Sequence, residues 1–230
     1  MVRAAPETAA HPGSISVNYS ALHDCHMSES GARVLNAYKC LRLLHEIAPF
    51  RSVVDFGCGI GGWLAAAKQL GAQKVLGIEG DWISGRKTLI DPSEMTIRDL
   101  AKEPPKLDRS FDLAVSIEVA EHLPAEAADR FCDALVSASE LIVFSAAIPG
   151  QGGENHVNEQ KPRYWVDKFW QRNFVPLEVV RPAIAGDPGM FPWLKQNVIV
   201  FSSYQRLCAR DALKRFMMPR EHFYNRYWPM

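Results

Sequence analysis

Apolar residues along this chain fall into two recurring patterns, short unbroken runs that stop at glycine or an acid, and longer stretches with helical spacing. Ser28 or Ser30 suits the cap of a helix running to about residue 47, with Val34, Ala37, Tyr38, Leu41 and Leu44 on one face. Pro49 ends it. Residues 52–56 form an apolar run that stops at glycines, as a buried parallel strand should. Gly61 or Gly62 then opens a helix to about residue 70, closed by Gly71, and residues 74–79 read as the next strand. A short strand is expected at Met95-Thr96-Ile97, a fourth over 111–117, and a fifth over 141–145. The helix between the last two covers about 125–137, with Ala128, Phe131, Cys132, Leu135 and Val136 on one face. A glycine-rich loop over 150–158 leads to an aromatic helix at 163–170, and late strands are expected at 177–180 and 197–201. Strands alternating with helices predict an α/β fold, a doubly wound sheet covered by helices on both faces. Such sheets bind ligands at the carboxyl ends of their central strands.

Length and composition narrow the class. At 230 residues the chain accommodates one such domain, expected over 28–203. Residues 1–27 read as a loose tail and candidate lid, and 204–230 as an aromatic and basic appendix containing Phe216, Phe223, Tyr227 and Trp228. Lys+Arg and Asp+Glu balance at 26 each, which disfavours a nucleic-acid partner and favours a small-molecule one. The five cysteines are scattered and lack C-x-x-C spacing, as expected of reduced thiols in a cytoplasmic protein. No apolar run reaches the roughly 18 residues a membrane span needs. Nothing in the sequence sets the oligomeric state.

Candidate chemistry begins at the first strand. Gly57-Cys58-Gly59-Ile60-Gly61-Gly62 has the spacing of a dinucleotide fingerprint, so an NAD-binding oxidoreductase is a natural rival reading. Asp55, two residues upstream, argues otherwise: its carboxylate would repel a pyrophosphate and would suit the amino group and sulfonium of S-adenosylmethionine (SAM). Glu79 closes the next strand, where an acid can accept hydrogen bonds from ribose hydroxyls. Asp99 and Leu100 follow the third, placed to read an adenine amino group and cover the ring.

Val53-Val54-Asp55-Phe56-Gly57-Cys58-Gly59-Ile60-Gly61 resembles motif I of the class I SAM-dependent methyltransferases, and Gly77-Ile78-Glu79-Gly80-Asp81 resembles their next acidic motif. The resemblance covers about residues 52–145. It implies a Rossmann-like, seven-stranded, mostly parallel sheet with a late antiparallel hairpin. It implies a SAM site drawn from Asp55, Gly57, Cys58, Gly59, Gly61, Trp63, Glu79, Gly80, Asp81, Asp99, Leu100 and Glu118.

After the fourth strand comes Glu118-Val119-Ala120-Glu121-His122. In a helical turn, Glu118, Glu121 and His122 would share one face, able to hold a divalent cation or to orient His122 as a base. His156 leaves the fifth strand and could approach the same spot. The E-x-x-E-H pattern is similar to that of the small-RNA 2′-O-methyltransferases and the ubiquinone-pathway O-methyltransferases. That resemblance implies a cation, magnesium or similar, with His156 as the counterpart of a later histidine in the RNA group. The balanced charge and the lack of an RNA-binding appendage depart from that group. The same turn also occurs in methyltransferases where the first Glu only lines the methionine pocket.

His156-Val157-Asn158-Glu159-Gln160, with Tyr164-Trp165 and Trp193-Leu194-Lys195-Gln196-Asn197, is similar to a broad bacterial group of small methyltransferase-domain proteins with varied substrates. Tyr164 and Trp193 are candidate acceptor walls, whereas Trp165, Phe169 and Trp170 fit helix-to-sheet packing. A solvated loop is expected at 20–26, although His26 there could touch SAM. These readings converge on SAM-dependent O-methylation of a small molecule, with His122 or His156 as base and Glu118 assisting. N-methylation of an amine and a non-catalytic SAM-binding subunit stay open.

Overall fold

The computed structural model describes residues 18–209 and 211–225. The polar tail expected over residues 1–12, and Tyr227 and Trp228 of the appendix, lie outside the described residues. The chain begins with α1 (Tyr19–Ser28), α2 (Ser30–Ile47), β1 (Ser52–Phe56), α3 (Gly62–Gln69), β2 (Lys74–Glu79) and β3 (Met95–Ile97). It continues with β4 (Leu113–Ile117), α4 (Ala128–Ala138), β5 (Leu141–Ser145), α5 (Pro162–Trp170) and β6 (Phe174–Leu177). Next come α6 (Arg181–Ile184), α7 (Pro192–Asn197) and β7 (Ile199–Ser203), then the short α8 (Tyr204–Ala209), α9 (Asp211–Lys214) and α10 (His222–Asn225).

The strands form a seven-stranded sheet in the order β3-β2-β1-β4-β5-β7-β6. β3 through β5 pair in parallel, and β7 runs antiparallel to both β5 and β6. Seven strands, mostly parallel, with a late antiparallel hairpin, are what the sequence resemblance implies.

Alternation along the central strands sends successive side chains to opposite faces, and each face has its own core. Val53, Leu113, Val115, Leu141 and Val143 pack with Leu41 and Leu44 of α2 and Leu64 of α3. Val54, Ala114, Ile142 and Phe144 pack with Phe131 of α4 and Trp165 and Phe169 of α5. The Phe144 ring lies 5.3 Å from both Trp165 and Phe169, and Phe169 stacks on Phe201 at 4.2 Å. Trp165 and Phe169 therefore pack helix on sheet. Trp170, expected to do the same, is exposed and carries Arg220 over its ring.

The expectations for the last strands and for residues 20–26 are corrected. The last strands shift to Phe174–Leu177 and Ile199–Ser203. Pro176 hid the first of them, because proline breaks an interior strand but is tolerated at a sheet edge, where β6 lies. Residues 20–26 are helical rather than a solvated loop. Trp193 sits in α7, with Pro192 at the first helical position, where the missing N–H costs nothing. No described helix is long and apolar enough to cross a membrane.

Candidate active site

The carboxyl ends of the parallel strands open onto a cleft of about 1360 Å³, lined along one side by the glycine loop. The loop is tied to the neighbouring strand: Gly57 and Cys58 both donate N–H bonds to the Ile78 carbonyl, at 2.8 and 3.2 Å. Gly57 takes φ +81°, and a Cβ there would stand 2.3 Å from Val119 Cγ2, so no side chain fits where the loop crosses the end of β4. Cys58, Gly59 and Trp63 also line the cleft. Gly61, at φ +87°, caps α3.

Two acids face this loop from the ends of β1 and β2. Asp55 is 2% exposed, and burial, with the charge of Glu79 added, raises its pKa well above the usual carboxylate value. A cationic ligand would relieve that cost. Glu79 is differently placed: one oxygen accepts Gly59 N–H at 2.7 Å, and the other accepts Gly80 N–H at 2.7 Å and Trp82 Nε1–H at 3.0 Å. Burial raises its pKa, and these three donors oppose the rise. Glu79 therefore holds the glycine loop in shape. Asp81, Asp99 and Leu100 also line the cleft. Asp81 accepts from Ser84 Oγ at 2.8 Å, and Asp99 caps the turn after it through Ala101 N–H at 3.0 Å while pairing with Lys102.

α1 roofs the loop. Tyr19 stacks on Trp82 at 5.7 Å and 16°, His26 meets the same ring edge-on at 6.4 Å, and His23 Nε2 lies 2.9 Å from the Lys87 carbonyl. Burial first, then Arg33 and His23, bring the His26 pKa down to about 4, so its ring is neutral near pH 7.

At the end of β4 the chain does not enter a helical turn at Glu118. Glu118 takes φ +53°, its N–H donating to Ser145, and a single 3₁₀ turn forms only over Ala120–His122. Its carboxylate accepts from Gln151 Nε2 at 2.7 Å and Asn197 Nδ2 at 3.1 Å. It lines the cleft but stands apart from the cluster it was expected to join. That cluster is Glu121, His122 and His156, whose ligand atoms lie within 4.8 Å of one another.

Glu121 is fully buried, and neither carboxylate oxygen has a hydrogen-bond partner among the described residues. Burial, then the charge of Glu118, push its pKa up to about 8, while the N–H groups of Glu121 and Ala147 oppose the rise without reaching hydrogen-bond geometry. His122 opens to water on the cleft side and is crowded by protein elsewhere. That crowding, with His156 4.8 Å away, lowers its pKa. His156 Nδ1 lies 2.8 Å from Glu159, whose carboxyl this bond, aided by Gly150 and Gly152 N–H, holds below its usual value. An ionised Glu159 only accepts, so Nδ1 carries a proton and the neutral ring has its lone pair on Nε2. The carbonyl of Glu121 accepts Val157 and Asn158 N–H, both at 2.9 Å, which straps the His156 loop to the turn.

Trp193 lines the cleft, stacked on Phe191 at 4.5 Å and 11°. Tyr164, proposed with it, does not line the cleft: it packs edge-on to Trp165 with Lys168 over its ring, because the start of α5 faces α4. Arg33, Trp82, Phe191 and Glu159 were not singled out from sequence. The i to i+3 spacings of His156 with Glu159 and of Glu79 with Trp82 were usable signals; Arg33 and Phe191 meet the site through long-range packing.

Residues 31–141 match the model of a methyltransferase domain family. No curated protein matches the sequence. Similar solved structures include the sugar N-methyltransferase KedS8 from Streptoalloteichus, 13% identical, with TM-score 0.55 over 88% of this chain and 99% of that one. A Haloferax volcanii complex of the Trm112 methyltransferase activator with a putative methyltransferase scores 0.55 at 14% identity, covering 83% of this chain and 99% of that one. A SAM-dependent methyltransferase from Archaeoglobus fulgidus scores 0.53 at 16% identity, over 77% and 98%. At these identities the likeness is one of fold.

Proposed function

Taking as premise that this chain carries the methyltransferase domain on the class I, SAM-dependent fold, we propose that it transfers the methyl group of SAM to a hydroxyl of a small-molecule acceptor. Glu121 carries the reading. A buried carboxylate with no partner is costly, and one placed beside two imidazoles at the ligand end of the sheet has the donors a divalent cation needs. Two nitrogens and one oxygen favour a transition ion such as manganese or zinc over magnesium, which prefers oxygen ligands. When bound, such an ion would lower the pKa of an acceptor hydroxyl.

The chain's own residues supply the rest. Asp55 faces the cationic end of SAM, Glu79 its ribose, and Asp99 with Leu100 its adenine. Trp193 offers the acceptor a flat apolar wall. His156, its tautomer set by Glu159, and His122, kept neutral by its surroundings, each offer an unprotonated ring nitrogen, which would hold the cation when one is bound and take the hydroxyl proton when none is. Glu118 is held by Gln151 and Asn197 toward the methionine end of the cofactor. Alignment and desolvation do the remaining work, since SAM itself supplies the reactivity.

The test is a panel of hydroxylated acceptors incubated with SAM and followed by mass spectrometry for the gain of one methylene. EDTA is expected to suppress turnover by about tenfold or more, with manganese restoring it, and His122→Ala to be comparably impaired. Full activity in EDTA together with full activity of the variant would rule the cation-assisted reading out.

A further inference from the structure

We propose that Asn36 of α2 is a positioning residue for the acceptor: it fixes the stacked Phe191–Trp193 wall and so sets the room an acceptor has beside it. The inference rests on the reading of Trp193 as an acceptor wall. Asn36 is 1% exposed and lies inside an 18-residue helix, where asparagine is a poor helix former and an unbonded buried amide is costly. Two of its bonds go to the loop before α7, 153 and 155 residues along the chain. Nδ2 donates to the carbonyls of Gly189 and Ala32, both at 3.0 Å, and Oδ1 accepts Phe191 N–H at 2.7 Å. Both side-chain donor hydrogens are therefore used.

The bond to Phe191 matters most for the cleft. Phe191 caps α7: its carbonyl accepts Leu194 and Lys195 N–H, at 3.1 and 3.3 Å, and α7 has no side-chain cap of its own. Holding the Phe191 backbone holds the first turn of α7, and Trp193 with it. The segment needs such a tether, because Gly186 and Gly189 restrict its backbone little and α7 is only six residues long. One turn along α2, Lys39 pairs with Asp187, which itself accepts Gly189 N–H at 2.8 Å. Two side chains of α2 thus grip Asp187, Gly189 and Phe191.

The ring pair, 4.5 Å apart and 11° from parallel, lines the same cleft as His122 and His156. A shift of this wall changes the space offered to the acceptor and leaves Asp55, Glu79 and Asp99, on the strand ends, where they are.

Protein labelled with 5-fluorotryptophan reports the wall by fluorine NMR, with the Trp193 resonance assigned through Trp193→Phe. Asn36→Ala is expected to move or broaden that resonance and Lys39→Ala to move it less, whereas Leu44→Ala, which loosens α2 in the core instead, leaves it in place. With S-adenosylhomocysteine saturating the cofactor site, 2-naphthol serves as a flat phenolic probe and should shift the wild-type Trp193 resonance. Asn36→Ala should weaken probe binding about tenfold and Lys39→Ala about two- to threefold, with SAM affinity by calorimetry unchanged in both. Asn36→Asp, which keeps an acceptor for Phe191 N–H, should recover part of the loss. An unmoved resonance with unchanged probe affinity, or a loss of SAM affinity equal to that of the probe, would overturn the role of Asn36. If Asn36→Ala does not fold, Lys39→Ala decides on the same readouts. A wild type whose Trp193 does not respond to the probe would overturn the acceptor wall itself, and this inference with it.

Discussion

Glu121→Met is expected to stabilise the metal-free protein while removing methyl transfer, two effects of opposite sign from one side chain. The buried carboxyl has no partner among the described residues, and burial with the charge of Glu118 pushes its pKa up to about 8 from an ordinary 4.5. Between those values the unfolded chain has released this proton and the folded chain keeps it, so raising the pH favours unfolding. The contribution to stability is full below about 4.5 and lost as pH rises through about 8. In EDTA, the melting temperature of the wild type should therefore fall across that window, and that of the variant should lack this fall. Above it, replacing the charge by an unbranched apolar side chain is expected to add about 1–4 kcal/mol. Turnover should drop about a hundredfold or more, the several kcal/mol that such a cation contributes. A variant that is active and shows the wild-type pH profile would remove Glu121 from the site.

Glu79→Ala should damage the cofactor site from the other side. The glycine loop depends on this carboxylate, which accepts from Gly59, Gly80 and Trp82. An orphaned buried donor costs about 1–3 kcal/mol, but removing a buried charge returns part of that, so the net loss of stability is expected near 1–3 kcal/mol. Binding suffers more, because the ribose loses its acceptor and the loop loses its shape. SAM affinity should fall about a hundredfold, measured by calorimetry beside a thermal melt. A variant that binds SAM as tightly as the wild type would show that the ribose lies elsewhere.

Much of the fold was readable because its strands are short apolar runs bounded by glycines and acids. β1, β2, β3 and β5 were placed to the residue for that reason. β6 was misplaced because a proline at a sheet edge looks like a strand breaker until the edge is known. α1 was missed because Tyr19–Ser28 has no apolar stripe. It packs through Tyr19, His23 and His26, against an aromatic ring and a carbonyl far along the chain.

The site divides in the same way. The positions of Asp55 and Glu79 follow from strand ends, which local sequence reveals. Glu118 was assigned to a helical turn, but a residue at φ +53° redirects the chain, and periodicity cannot foresee that. Arg33 and Phe191 meet across distant elements, and no spacing rule brings those together.

The measurement that bears most directly on the account is a calorimetric titration of the wild-type protein with SAM and, separately, with NADH. The glycine spacing admits either cofactor, and Asp55, buried and with no cation beside it among the described residues, is what favours the methyl donor. Binding of SAM with no heat from NADH is the predicted result; binding of NADH with none of SAM would contradict it.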